Sequence, residues 1–213
     1  LGALADNGQG KESESPLSKI LRYSDFIRSG AANIADIHRS FAHYSRSDTN
    51  MRVDIDLQTT LEEAMTILTS RVQPHILKTY FEQCGRITCR PSEICQAVTN
   101  LVSNAADAIN GIGTDESTHA SARHGEIHLW VHSALRDERE GILIVVEDSG
   151  PGLPEVDEDE FLRPFFTTKE RGKGTGLGLA ITHRIIRRHR GTLEFGRSKK
   201  LGGAEFRIWF PST

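Results

Sequence analysis

At 213 residues and 37% hydrophobic content the chain can form one ordinary domain plus a smaller element around a real core. Twenty-six basic against 29 acidic residues leave a net charge of −3, without the positive excess that a nucleic-acid binder sets against phosphate backbones. No apolar run approaches the roughly 18 residues of a membrane span and no leader pattern is present, so a cytoplasmic piece without membrane contact is expected. A start at Leu1 rather than Met points to a fragment of a longer protein, whose parent can carry an anchor upstream.

Residues 1–15 have the glycine, serine and charge content of a loop, after which Ser15 can cap a helix with Pro16 in its first turn. Along residues 16–46, Ile20, Ile27, Ile34 and Phe41 recur every seven positions, with Tyr23, Ile37 and Tyr44 three further on. That seam reads either as a dimerising helical bundle or as an amphipathic helix packed on its own domain. The period changes after Asp48, which divides the chain into a helical region, 1–48, and a mixed domain, 49–213.

In that domain the patterning predicts a strand over Met51–Leu57, a helix over Thr60–Val72, and short strands over Ile76–Phe81 and Arg86–Arg90. A helix over Ser92–Asn110 and a polar loop over 111–125 follow. Glu126–Ser133 and Gly141–Glu147 read as strands joined by the charged stretch 135–140, then Leu177–Arg190 as a helix, and Thr192–Phe195 and Ala204–Phe210 as closing strands. Antiparallel-looking strands and helices in this order suggest a two-layer α+β sandwich.

Cys84, Cys89 and Cys95 are odd in number and lack CxxC spacing, so free structural thiols are expected. His119, His124, His128 and His132 are close enough to suggest a metal cluster, but no cysteine or carboxylate pattern completes a ligand set, and loop and strand histidines are the expectation. Arg184, Arg187, Arg188 and Arg190 read as helix-end charges complementing the dipole.

The chemistry concentrates between residues 92 and 180. The apolar strand 142–147 runs into Asp148-Ser149-Gly150-Pro151-Gly152-Leu153, a carboxylate at a strand end beside glycines that let backbone approach a flat ligand. Gly172-Lys173-Gly174-Thr175-Gly176-Leu177-Gly178-Leu179 precedes a helix, so free N–H groups and the positive helix end can face phosphates. On the helix 92–110, Asn100, Asn104 and Asp107 share one face, and amide oxygens can ligate Mg²⁺, whose other ligands are usually phosphate oxygens and waters.

Together, Asn100-Leu101-Val102-Ser103-Asn104-Ala105, the Asp148 box, Phe161-Leu162-Arg163-Pro164-Phe165-Phe166-Thr167-Thr168-Lys169 and Gly174-Thr175-Gly176-Leu177-Gly178-Leu179-Ala180 resemble four boxes of the sensor histidine kinases. In that family's order they match the N box, the first glycine box, the F box and the second glycine box. The resemblance covers about residues 49–213 and implies the Bergerat ATP-binding fold shared with gyrase, the Hsp90 chaperones and the MutL proteins. It also implies that the seam helix is part of a dimerisation and phosphotransfer hairpin.

Carried over by position, the resemblance makes Asp148 the acceptor for the adenine amine, Asn104 the Mg²⁺ ligand and catalytic residue, and Asn100 its companion one helical turn earlier. Gly150, Gly152, Gly174, Gly176 and Gly178 shape the pocket, Phe165 and Phe166 anchor a lid, and Asp107, Thr168, Thr175 and Leu177 join the ATP-binding set. Lys169 and Lys173 are either lid cations near the phosphates or solvated loop charges.

In the gyrase and chaperone branches the family pattern implies a water-activating glutamate where this chain has Asn100, which cannot serve as a general base. Transfer of the ATP γ-phosphoryl group to a histidine, and from there to a response-regulator receiver, is therefore favoured over hydrolysis. The alternatives are an ATP-hydrolysing clamp and a degenerate kinase that only binds its regulator. No acceptor box of His, Glu or Asp, and Pro occurs in residues 1–48, which places the acceptor upstream of Leu1; His38 is the internal alternative, while alignment with the non-acceptor helix makes His38 and His43 bundle-surface residues. The implied partners are a second copy through the 16–46 helix and the receiver domain.

Overall fold

A computed structural model describes Ser24 and residues 52–111, 124–169 and 174–212. The seam helix expected over 16–46, most of the 111–125 loop, His119 and Lys173 lie outside the described residues.

Strand β1 (Arg52–Ile55) hands the chain to helix α1 (Leu57–Arg71). The helix starts three residues before the expected Thr60 because Asp56 caps it: one carboxylate oxygen accepts from the Gln58 N–H at 3.0 Å, the other from the Thr59 hydroxyl at 3.3 Å. Leu57, Leu61, Met65 and Leu68, spaced four, four and three apart, form its buried stripe. Strand β2 (Ile76–Phe81) has the expected bounds. Strand β3 (Ile87–Cys89) pairs antiparallel with β1 in a separate two-stranded ribbon.

Helix α2 (Pro91–Asn110) carries Pro91 at its first position, where a missing N–H costs nothing. Ile94, Ala97, Val98, Leu101, Val102, Ala105, Ala106 and Ile109 bury its apolar side. Strands β4 (Glu126–Arg136) and β5 (Arg139–Asp148) are longer than expected. The charged stretch 135–140 is not a loop: Asp137 and Glu138 take φ of 48° and 61°, the left-handed pair of a two-residue hairpin turn, and the strands run up to it on both sides. Arg136 ties this tip to the far edge of the sheet through Glu194 at 2.7 Å and Thr192 at 2.8 Å.

A single turn, α3 (Glu158–Phe161), precedes helix α4 (Gly178–Arg188), which stops short of the expected Arg190. Arg190 sits at φ 56° and the Gly191 N–H reaches back to the Ile186 carbonyl at 2.9 Å, the C-terminal closure usually made by glycine. Arg188 at this end pairs with Glu93 at 3.1 Å. Strands β6 (Thr192–Arg197) and β7 (Ala204–Pro211) complete a five-stranded sheet of order β2-β4-β5-β7-β6.

The expectation of antiparallel strands fails at one pair, because β2 runs parallel to β4. Between them the chain passes through β3 and the length of α2, the crossover that parallel neighbours require. The inner face is set by alternation: Ile127, Leu129 and Val131, Ile142, Ile144 and Val146, and Phe206, Ile208 and Phe210 are all buried against α1, α2 and α4. Each contributes about 1.5–3 kcal/mol on burial. The expected two-layer α+β sandwich is the fold observed. The outer face carries a smaller cluster of Leu143, Val145 and Trp209, with Trp130 stacked on Tyr80 at 3.8 Å and the Lys200 ammonium 4.4 Å above the Trp130 ring. Among the described residues no helix is long and apolar enough to cross a membrane.

Candidate functional site

Strand alternation delivers the first site residue. Ile142, Ile144 and Val146 face the core, so Asp148, two positions on, faces the same side at the end of β5, 3% exposed. Its Oδ1 accepts from the Gly150 N–H at 2.7 Å and the Ala204 N–H at 3.2 Å. Burial pushes its pKa up, and those two N–H bonds pull the other way. Both bonds fall on Oδ1, so Oδ2 is the oxygen that a ligand amine would use.

Gly203 was not singled out in the sequence, where it reads as turn. Its N–H donates to the Asp148 carbonyl at 3.0 Å, and a Cβ there would collide with Asp148 Oδ1, the Asp148 carbonyl and the Gly150 nitrogen. Only glycine lets this backbone close over the aspartate.

The polar face of α2 meets the second glycine box. Asn100 Nδ2 donates to the Gly178 carbonyl at 3.1 Å and to the buried Thr182 hydroxyl at 3.4 Å. Thr182, one turn into α4, is a second residue the motif reading missed; its spacing of four from Gly178 was the available signal. A Cβ on Gly178 would lie 3.8 Å from the Asn104 amide nitrogen, and among the described residues no protein hydrogen bond takes up the Asn104 side chain. Further along the same helix, Ala108 lies 3.4 Å from where a Gly150 Cβ would be. The two glycine boxes thus converge on α2 within about two turns.

No side chain caps α4, so its first N–H groups and positive end stay available to an anion. Thr175 supports the approach by accepting from the Leu177 N–H at 3.3 Å. Gly176, at φ 64°, accepts the Phe165 N–H at 2.9 Å, and any Cβ there would run into the Phe165 backbone. The F box and the second glycine box are thereby joined through backbone.

The two phenylalanines expected to anchor the lid divide the work. Phe166 is half-buried and packs edge-on to Phe161, at 6.0 Å and 75°, and Phe161 in turn packs on Phe195 at 5.0 Å. Phe165 is 73% exposed at φ 70° and holds the lid by its backbone alone. Lys169 Nζ pairs with Asp107 Oδ2 at 2.6 Å, so in this structure these two expected ligand contacts occupy each other. Gly152 and Gly174 are half-buried, and Thr168 is exposed.

Among the described residues no three His, Cys, Asp or Glu side chains could hold a metal together. His128 instead lies 3.0 Å from Glu126 and 3.5 Å from Glu147. Asn104 suits a different arrangement, one amide oxygen supplementing phosphate oxygens and waters around Mg²⁺. The three cysteines are free, and burial pushes Cys89 up to about 12 and Cys95 up to about 11. A cavity of about 510 Å³ lined by Ile87, Arg90, His189 and Phe210 adjoins the opposite end of α2, about 20 Å from Asn104 along the helix, and belongs to none of the boxes.

Residues 89–213 match the family described as histidine kinase-, DNA gyrase B- and HSP90-like ATPase. The chain belongs to this family. Its relatives include the sensor histidine kinase ZraS of Escherichia coli (strain K12), 29% identical over 160 residues, which are 74% of this chain and 30% of that protein. The C4-dicarboxylate transport sensor protein DctB of Pseudomonas aeruginosa is 29% identical over 178 residues, 82% of this chain and 27% of that protein. The chain therefore spans less than a third of these curated relatives. The mycobacterial sensor histidine kinase MprB shares the fold, with TM-score 0.60 and 19% identity, over 76% of this chain and 97% of that one. The domain described here is an ATP-binding domain of the histidine-kinase type.

Proposed function

We propose that this chain is the catalytic core of a sensor histidine kinase, which binds Mg-ATP and passes its γ-phosphoryl group to a histidine and then to a response-regulator aspartate. The observation that carries the proposal is the convergence of both glycine boxes on α2, at Asn100 and Asn104 for one and Ala108 for the other. A carboxylate for an amine, a glycine cradle for phosphates and an unpartnered amide oxygen for a cation then line one helix.

In this reading Asp148 Oδ2 accepts from the adenine amine, and the N–H groups at the start of α4 face the phosphates. Asn104 contributes its amide oxygen to Mg²⁺, which when bound neutralises charge on the phosphates. Asn100 is committed to Gly178 and Thr182 and has no carboxylate with which to activate water, so an imidazole nitrogen is the attacking group and ADP the leaving group. Residues 1–48 form the partial dimerisation and phosphotransfer region and 49–213 the catalytic domain. The 16–46 helix pairs two copies on the cytoplasmic side, and the acceptor histidine lies upstream of Leu1.

The test is incubation with γ-labelled Mg-ATP of this chain, its His38→Ala and Asn104→Ala variants, and the chain with its natural upstream segment restored. The expected result is acid-labile label only on the extended chain, lost on adding Asn104→Ala. Label on the present chain that disappears with His38→Ala would move the acceptor inside it. Steady phosphate release without any label would replace the kinase by a hydrolytic clamp.

A further inference from the structure

The site as described uses Asp148 but not its neighbour on the outer face. Glu147 is 4% exposed, and one of its oxygens accepts from the Trp130 indole N–H at 3.0 Å. The other accepts from the Ser198 hydroxyl at 2.7 Å. Ser198 is 2% exposed, and its oxygen also accepts from the Leu201 N–H at 2.9 Å and the Lys200 N–H at 3.2 Å. One proton given and two lone pairs filled exhaust what a hydroxyl can do.

The same residue closes the turn between β6 and β7 through its backbone: Ser198 N–H donates to the Gly203 carbonyl at 2.8 Å, and Gly202 N–H to the Ser198 carbonyl at 3.0 Å. From the far end of that turn come the two N–H groups that reach Asp148, Gly203 to its carbonyl and Ala204 to Oδ1. A continuous path of short bonds therefore runs from Glu147 through Ser198 and the turn back to the next residue in the chain. Buried polar atoms held this way resist displacement, because moving one orphans the others.

We propose that Ser198 and Glu147 are positioning residues for Asp148: their hydrogen bond fixes the 198–203 turn that aims the Gly203 and Ala204 N–H groups, and so sets the carboxylate for recognition of the adenine amine. The proposal rests on the ATP-binding reading of the site. Ser198→Ala removes the donor to Glu147 and the acceptor for two N–H groups. Glu147→Gln keeps the shape and an acceptor for Trp130 but turns an NH₂ toward a hydroxyl whose lone pairs are taken.

The experiment measures binding of Mg-ADP and of the Mg-diphosphate of purine riboside, which lacks the 6-amino group, to the wild-type chain and to Ser198→Ala, Ser198→Thr, Glu147→Gln and Asp148→Asn. Ser133→Ala, an exposed hydroxyl bonded to the Gln83 carbonyl, is the control. The expected result is an ADP affinity about tenfold weaker in Ser198→Ala and Glu147→Gln, analogue binding changed much less, recovery in Ser198→Thr and no change in the control. Equal weakening of both ligands would reduce the pair to ordinary structural residues, and unchanged ADP binding would remove their role; either overturns the proposal. If Ser198→Ala does not fold, the near-isosteric Glu147→Gln decides on the same criteria. Asp148→Asn separates the two levels: if it leaves ADP binding intact, the assignment of the nucleotide site falls, and this inference with it.

Discussion

Gly203→Ala probes the site where its packing is tightest. The added methyl carbon would sit 2.5 Å from the Gly150 nitrogen and closer still to the Asp148 carbonyl and Oδ1, whereas real Cβ atoms essentially never approach within 3.0 Å. None of the three atoms is the end of a flexible chain, so the turn must lift away from β5 or the aspartate must move. Overpacking of this kind costs about 1–3 kcal/mol, and the N–H bonds from Gly203 and Ala204 to Asp148 weaken with the displacement. Because the strain falls on the adenine side of the site, ADP affinity is expected to drop by about tenfold or more, beyond any loss of thermal stability. Calorimetric titration with Mg-ADP and a melting curve measure the two effects. Gly196→Ala, where nothing lies within 4 Å of the new carbon, supplies the baseline for adding a methyl group nearby. Gly203→Ala binding Mg-ADP as well as Gly196→Ala does would refute the reasoning.

Asn100→Ala removes the bonds to Gly178 and Thr182 and should lower stability by about 1–2 kcal/mol; in a double-mutant cycle with Thr182→Val the two losses should not add, and simple additivity in melting curves would deny the coupling. The pKa of Asp148 is raised by burial above its unfolded value, so the charged carboxylate costs stability at neutral pH and that cost is relieved as pH falls through the folded pKa. Adenine recognition needs the same carboxylate charged, so Mg-ADP affinity should decline on acidification while pH is still above the ordinary aspartate range, and Asp148→Asn should flatten that limb; an affinity flat through that range contradicts it. Cys89 and Cys95, with pKa values pushed up to about 12 and 11, should resist iodoacetamide in the folded chain at pH 8, and half-buried Cys84 should be modified first. Mass spectrometry of the adducts gives the order.

What the sequence disclosed was what local spacing controls. The apolar strand ending in Asp148, the glycines ahead of a helix and the three-and-four spacing of Asn100, Asn104 and Asp107 each announce a surface without needing its partner. The parallel pairing of β2 with β4 is set by which strand lies next to it across the sheet, and the pattern within either strand is silent about that. Thr182, Ser198 and Gly203 act through residues 82, 51 and 55 positions away, Asn100, Glu147 and Asp148 respectively, and read locally as helix, strand end and turn. The pairing of Lys169 with Asp107 joins residues 62 apart, so no local pattern announces it. At 31% and 52% side-chain exposure it adds only about 0.2–1 kcal/mol, little enough for a nucleotide to displace.

The most direct test of the central claim is calorimetric titration of the chain with ATP in the presence and absence of Mg²⁺, for wild type, Asn104→Ala and Asp148→Asn. The account predicts Mg²⁺-dependent binding to wild type, loss of the Mg²⁺ dependence in Asn104→Ala, and at least tenfold weaker binding in Asp148→Asn. Binding that both variants retain unchanged, or no binding to folded wild type, would contradict it.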